Sequence, residues 1–224
     1  MPDRHRGPAD MPGHLPVFPL SGALLLPRAE MPLNIFEPRY LAMIEHALGT
    51  DRMIGIVQPR ESEAIDLSGD RPDKPALSRI GCAGRITAFA ETPDGRMMVT
   101  LTGISRFEIR EELETDGPWR EVIADYDAFA GDFEKGLGED KVDRKGLLAT
   151  FRAYLDANGL SADWQEVSRA SNEVLVNTLA MIAPYDRRAK QALLEAPDLK
   201  TRADVLVALT EVNLAGGQEG RQLQ

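Results

Sequence analysis

One cysteine, Cys82, occurs in 224 residues, so no intramolecular disulfide can close and no cysteine-based metal site can be assembled. It stands between Gly81 and Ala83 in an apolar stretch, where a cysteine behaves as a small buried hydrophobe. Histidine is nearly as scarce. His5, His14 and His46 are the three, and none has the spacing that places two imidazoles on one helix face for a metal. No stretch approaches the ~20 apolar residues that cross a bilayer. The opening MPDRHRGPADMPGH carries charge and proline with no apolar run behind it, unlike a secretory leader. Positive charge is short as well: 26 lysines and arginines face 36 acids, a formal net charge of −10. Phosphate recognition draws on clustered cations that displace counterions, so the overall field disfavours nucleic acid. The expectation is a protein of the reducing cytoplasm with no metal, no cofactor and no membrane or nucleic-acid partner.

Signatures of catalysis are also missing. There is no G-x-x-x-x-G-K-[ST] phosphate loop, no G-x-G-x-x-G turn and no G-x-S-x-G nucleophile elbow. Serines and lysines both occur, but nothing in the pattern brings one Ser–Lys pair forward. Glu111, Glu112, Glu114 and Asp116 form an acidic run that reads as a solvated loop between strands, not as a two-carboxylate hydrolytic site. His46, toward the C-terminal end of the first helix, suits the helix dipole there. No catalytic residue is expected.

What is present is enough apolar residue, 43% of the chain, to fill one substantial core or two closely joined ones. Residues 1–14 are polar and rich in proline and glycine and are expected to be a disordered tail. Leu15–Leu20 opens a β-rich region, and Pro16 and Pro19 call for a strand that lies at an edge or is brief. Leu24–Pro27 is a further apolar run, and Met31–Phe36 a third extended piece. Pro38 suits the first position of a helix, with Leu41, Ile44 and Leu48 on one face and Gly49 ending it in a left-handed turn. Met53–Val57 reads as a buried strand, and residues 58–78 as a long polar loop. Ile80–Ala90 and Met97–Arg110 flank Thr92-Pro93-Asp94-Gly95, a hairpin turn. On the return strand Met97, Val99, Leu101, Phe107 and Ile109 share one face, and Thr100, Thr102, Arg106, Glu108 and Arg110 the other. Gly103 marks a bend of the kind that lets a sheet curl closed. Trp119–Tyr126 supplies another strand.

After Asp127 the period changes from two to about 3.6. Gly131, Gly136 and Gly138 mark a linker. Leu147, Leu148, Phe151, Tyr154 and Leu155 form a helical stripe stopped at Asn158-Gly159. Trp164, Val167, Val174, Leu175, Leu179 and Ile182 form a second, stopped by Pro184. Asp186 caps a third helix reaching Leu194, and a fourth turns Leu199, Ala203, Leu206 and Leu209 inward. The expected organisation is a β-rich lobe over 15–127, a helical bundle over 139–214 and a flexible tail over 215–224.

The segment LPVFPLSGALLLPRAEMPLNIFEPRYLAMIEHAL, from Leu15 to Leu48, resembles the opening of the Lon N-terminal, or Lon substrate-binding, domain family. The matching pieces are Leu15 to Leu20, Leu24 to Pro27 and Pro32 to Tyr40. Met53 to Val57, Ile80 to Ile86, Asp94-Gly95-Arg96, Gly103 to Phe107 and Leu179 to Leu194 follow in the family's order, so the likeness runs from about Leu15 to Leu214. It implies an α+β fold, a PUA-like β-barrel followed by a C-terminal helical bundle. The chain is similar to the small free-standing bacterial members that lack the ATPase and Ser–Lys protease modules of full-length Lon. The implied role is non-catalytic recognition of unfolded segments or a protein partner, without ATP. The alternatives are a nucleic-acid-binding PUA-like module, an adaptor docking on a separate protease, or an independent hydrolase.

Binding diverse segments favours adaptable apolar surface, which methionine and aromatic side chains supply. The candidate substrate-binding residues are Met31, Phe36, Tyr40, Met97 and Met98, with Leu33 considered beside them. Leu33 and Phe36 are expected to fill the barrel core and Tyr40 to pack the first helix against it. Met97 and Met98, consecutive in a strand, must face opposite sides. Glu37 and Arg39 read as a helix cap and surface ion pair ahead of a recognition pair.

Overall fold

The computed structural model describes residues 5–60 and 75–221, except the side chains of 216–221. The chain divides between Lys135 and Gly136 into two compact units. The first holds strands β1 (His14–Pro19), β2 (Glu30–Ile35), β3 (Met53–Val57), β4 (Ile80–Glu91), β5 (Met97–Leu113) and β6 (Arg120–Asp125), with helix α1 (Pro38–Gly49) between β2 and β3. The second holds α2 (Arg144–Asn158), α3 (Trp164–Arg169), α4 (Asn172–Ile182), α5 (Arg187–Glu195) and α6 (Leu199–Arg221). This is the mixed α+β architecture expected.

The sheet runs β2-β5-β4-β3-β1-β6, and β6 returns to pair with β5, closing a barrel. β5 makes the closure possible. One of its edges pairs with β4 over most of its length. The other pairs with β2 over Met97–Thr102, and then with β6 over Glu108–Leu113. Between these partners the strand bends. Ala83 pairs with Ser105 and Gly84 with Gly103, so Ile104 is an extra residue, a bulge. Loop backbone fills the gap in the ladder: Arg28 N–H donates to Gly103 O (2.7 Å) and Gly103 N–H to Ala29 O (2.9 Å). A Cβ on Gly103 would stand 2.1 Å from Leu26 O, so only glycine admits this approach.

The core inside the barrel gathers Leu15, Val17, Met53, Val57, Ala83, Phe107 and Val122. Phe107 is fully buried, and a Cβ on Gly81 would lie 2.7 Å from its ring; the small residue leaves the space the ring occupies.

Several expectations are corrected here. β1 is brief, but it is no edge strand, because it lies between β3 and β6. It pairs with β6 over His14–Val17 and with β3 over Val17–Pro19. Each proline thus stands where only one side of the strand has a partner, and its missing donor breaks no ladder. Within the expected tail, Pro8–Asp10 form a 3-10 turn, Met11 joins the barrel core and Tyr126 Oη donates to Pro12 O at 3.2 Å. Helix α1 buries Tyr40, Met43, Ile44 and Ala47, a face rotated from the one expected, which leaves Leu41 and Leu48 partly exposed. Gly49 stays helical, and the left-handed residue is Arg52 (φ 59°), whose N–H returns to Ala47 O. Most of the loop expected over 58–78 lies outside the described residues; at its ends Pro59 bridges Leu77.

The largest departure is Arg106, expected on the solvent face and found 4% exposed. Asp132 holds it there, from a 3-10 segment (Asp127–Phe133) in the stretch read as a linker. The carboxylate accepts from Arg106 Nε (2.9 Å) and Nη2 (2.7 Å) and from the Arg106 backbone N–H (2.9 Å). It stands in for a neighbouring strand at the gap in β5.

In the helical unit the termini are capped by short polar side chains, as their positions demand. Asp143, Asp163, Ser171 and Asp186 accept from the first-turn N–H groups of α2, α3, α4 and α5. Gly159, at φ 65°, ends α2. The second stripe, expected as one helix, is two, because Ser171 restarts the helix after an extended Ala170. That break turns Val174 and Ile182 outward, 51% and 67% exposed. Leu147, Leu155, Leu175, Val176, Leu179, Leu193, Leu194, Leu199, Ala203 and Leu206 are buried. Leu209, expected inward, is half-buried. Arg202 is buried and donates to Leu193 O and Asn177 Oδ1, both at 3.0 Å.

Candidate functional site

The five side chains nominated from the sequence do not converge. Met97 is buried and Met98 is 45% exposed, as strand alternation requires. Their partners across β2 are Ile35 and Asn34. Phe36, expected in the core, is 64% exposed, because β2 ends at Ile35 and α1 has not yet begun. Met31, opposite Leu101, is half-buried, and Leu33 is buried. Tyr40 lies elsewhere. Its ring packs on Phe18 at 4.2 Å between centroids, with the Arg39 guanidinium 4.5 Å over it. Burial raises its phenol above the ordinary tyrosine range. Arg39 pairs with Glu37 at 2.8 Å, the surface ion pair expected.

Tyr40 instead lines a cleft of 210 Å³ with Trp119, Arg39, Arg120, Ser21 and four prolines, Pro19, Pro59, Pro75 and Pro118. Trp119 stacks on His46 of α1 at 4.8 Å, and its indole N–H has no acceptor among the described residues. Arg120 also borders a larger pocket of 490 Å³ with Arg60, Arg79, Arg110 and Glu112 around Ala76, Leu77 and Ile109. There Arg120 forms a two-pronged contact with Glu112 (2.8 and 2.6 Å) and donates to Pro75 O (2.6 Å). Arg110 donates twice to Asp125. That hydrogen bonding raises the guanidinium's pKa. Asp125 is held below the usual carboxylate range by the Asp127 N–H and then by Arg110.

In the helical unit, α2, α4 and α6 leave an apolar groove of 440 Å³. Leu147, Phe151, Tyr154, Leu155, Leu160, Leu179, Ile182, Pro184, Tyr185, Leu206 and Val207 line it. Thr150, Tyr154 and Ser161 add hydroxyls to this lining, and two further polar groups engage each other. Tyr185 Oη contacts Thr210 Oγ1 at 2.6 Å, and Thr210 donates onward to Leu206 O at 2.7 Å. Burial raises the Tyr185 phenol's pKa. Leu160, 54% exposed, and Ile182 stand among the lining residues. A groove lined mainly by apolar side chains selects apolar volume. The sequence held a signal for it. The stripe from Leu147 to Leu155 has five apolar residues where packing buries only Leu147 and Leu155, and the surplus Phe151 and Tyr154 face the groove.

Among the described residues no three His, Cys, Asp or Glu side chains converge to hold a metal, and no helix is long and apolar enough to cross a membrane.

The family model described as the ATP-dependent protease La (LON) substrate-binding domain matches residues 14–211. Among curated proteins, the Lon protease of Xanthomonas oryzae pv. oryzae is 25% identical over 200 residues, 88% of this chain and 23% of that protein. Lon protease 2 of Thermus thermophilus is 26% identical over 222 residues, 96% of this chain and 26% of that protein. The Lon protease of Escherichia coli K12 is 26% identical over 202 residues, 88% and 24%. The chain thus spans about a quarter of the length of the curated relatives it matches. Two solved structures share the fold at 20% identity. A Lon N-terminal domain protein from Xanthomonas campestris has a TM-score of 0.60, covering 87% of this chain and 97% of that one. The N-terminal domain of Mycobacterium avium complex Lon protease has a TM-score of 0.61, covering 88% and 98%.

Proposed function

The chain belongs to the family of Lon substrate-binding domains, and on that premise we propose that it is a non-catalytic polypeptide-binding module, taking unfolded segments or one protein partner without ATP. The observation that carries the reading is the 440 Å³ apolar groove of the helical unit. Full burial of one large apolar side chain is worth about 1.5–3 kcal/mol. A groove that takes two or three, less the cost of ordering an extended segment, gives weak and broad affinity of about micromolar to millimolar. That is the regime of a receptor for many segments. Phe36 and Met98, the exposed members of the set drawn from the sequence, are subsidiary contacts on the barrel unit. Met97 and Met31 are the more buried residues beside that surface, and Tyr40 belongs to the separate cleft with Trp119.

The test is anisotropy with labelled unfolded peptides, apolar-rich against polar, with and without ATP. The apolar peptides bind, ATP changes nothing, and Ile182→Asp weakens binding about fivefold or more. Ile182 is 67% exposed, so this substitution spares the fold. Absence of binding at millimolar peptide, or a requirement for ATP, removes the reading.

A further inference from the structure

We propose that the arginine pocket and the proline–aromatic cleft of the barrel unit, joined at Arg120, form a second binding surface for an extended acidic polypeptide segment. Carboxylates of the segment meet the guanidinium groups, and a neighbouring apolar or proline residue packs against Tyr40 and Trp119. This surface is distinct from the apolar groove and takes ligands of different chemistry.

Charge is the first argument. In a chain of net charge −10, the described residues lining the two adjoining concavities include five arginines, 39, 60, 79, 110 and 120, and one carboxylate, Glu112. Three further acids sit against these arginines without lining the concavities: Glu37 on Arg39, Glu108 on Arg79 and Arg110, and Asp125 on Arg110. Arg60 is exposed and has no carboxylate partner among the described residues. A local positive surplus on an acidic protein is complementary to an acidic ligand.

Geometry is the second. Arg120 already holds a carboxylate in the forked arrangement that planar recognition uses, with the two oxygens of Glu112 at 2.8 and 2.6 Å, and Arg110 aims two N–H groups at the single oxygen Asp125 Oδ2 at 2.9 and 2.7 Å. Arg79 and Arg110 are 68% and 49% exposed. Exposed pairs of this kind contribute little net stability, so an incoming carboxylate exchanges with an internal one at small cost. The floor of the pocket is Leu77 and Ile109, apolar surface under the stem of an acidic side chain. In the cleft beyond Arg120, proline and aromatic rings offer flat faces to an extended backbone.

The surplus of positive charge is small, which favours a peptide with a few carboxylates over a nucleic acid with a charge at every step. The overall acidic field adds to that preference.

The experiment measures anisotropy of a labelled peptide containing Asp, Glu and Pro against its Asn/Gln counterpart, at low and at physiological salt. The acidic peptide binds the wild-type chain, the amide peptide does not, and salt weakens the complex. Arg60→Glu with Arg79→Glu reduces affinity tenfold or more. Arg96→Glu with Lys145→Glu, the same charge change at two residues that line neither concavity, leaves it within twofold. In a Trp164→Phe chain the acidic peptide changes the emission of Trp119. Equal weakening by both charge reversals, equal binding of the amide peptide, or silence of Trp119 overturns the proposal. So does tighter binding of an RNA oligonucleotide than of the peptide, or a concentration-dependent dimer that the same reversals abolish.

Discussion

Replacing Asp132 with alanine tests how the barrel closes. The substitution removes one carboxylate and three hydrogen bonds at once, two from the Arg106 guanidinium and one from its backbone N–H. Both partners are buried, their side chains 4% and 10% exposed. Removing one member of a buried ion pair costs about 3–5 kcal/mol. A buried backbone donor left without its acceptor accounts for about 1–3 kcal/mol of such a loss. The Phe129 ring, 4.6 Å under the guanidinium, keeps a share of the charge stabilised. We therefore expect a loss of about 3 kcal/mol. In a urea titration, with a slope of about 1–3 kcal/mol per molar, the midpoint of the barrel unit falls by roughly 1–3 M. Asp132→Asn, which keeps an acceptor for the N–H but not the charge, falls by less. The double variant Arg106→Leu, Asp132→Ala recovers the ion-pair share and retains the deficit of the backbone donor. A loss under about 1 kcal/mol for Asp132→Ala would refute the idea that this carboxylate replaces a strand. A double variant no more stable than the single one would refute the division of the loss.

Gly103→Ala pushes a methyl group onto Leu26 O and lowers thermal stability by about 2 kcal/mol or more, read by calorimetry, because the neighbour is backbone and cannot swing aside. Asp186→Ala removes the acceptor for Ala189 N–H at the start of α5 and costs about 1 kcal/mol by chemical denaturation. Asp198 is held below the usual carboxylate range by the Thr201 N–H and side chain. Its folded pKa lies under its unfolded one, so its contribution is present above the ordinary carboxylate pKa and is lost as pH falls through the folded value. Asp198→Asn therefore flattens the acid limb of stability against pH.

The elements legible in the sequence were those with a local cause. The Thr92–Gly95 turn, the start of α1 at Pro38, the cap at Asp186 and the stop at Gly159 each follow from one or two residues and their backbone preferences. What the sequence hid was non-local. Arg106 falls on the polar phase of β5, and only the approach of Asp132, 26 positions later, makes burial the better state. Pro16 and Pro19 pointed to an edge strand or a brief one, and nothing local says that the brief β1 divides its length between two partners. The same limit applies to the candidate sites. Methionines and aromatics near β2 were conspicuous as residue types. The helical groove and the arginine pocket arise from side chains that come to line one concavity only after folding: Phe151 and Ile182 in the first, Arg60 and Arg110 in the second. The break at Ser171 could have been read, since a serine ahead of Asn172 and Glu173 is a helix-start pattern.

Besides closing on β5, the last strand pairs with the first, His14 opposite Ile123, roughly a hundred residues apart, and pairings so distant in sequence are slow steps in folding. During synthesis β1 emerges early and must wait for β6, with one side unoccupied and its apolar residues uncovered. The nascent chain thus passes through an open sheet in which Leu15 and Val17 are available to other chains. Substitutions that weaken the seam between β1 and β6 are therefore expected to lower the yield of native protein.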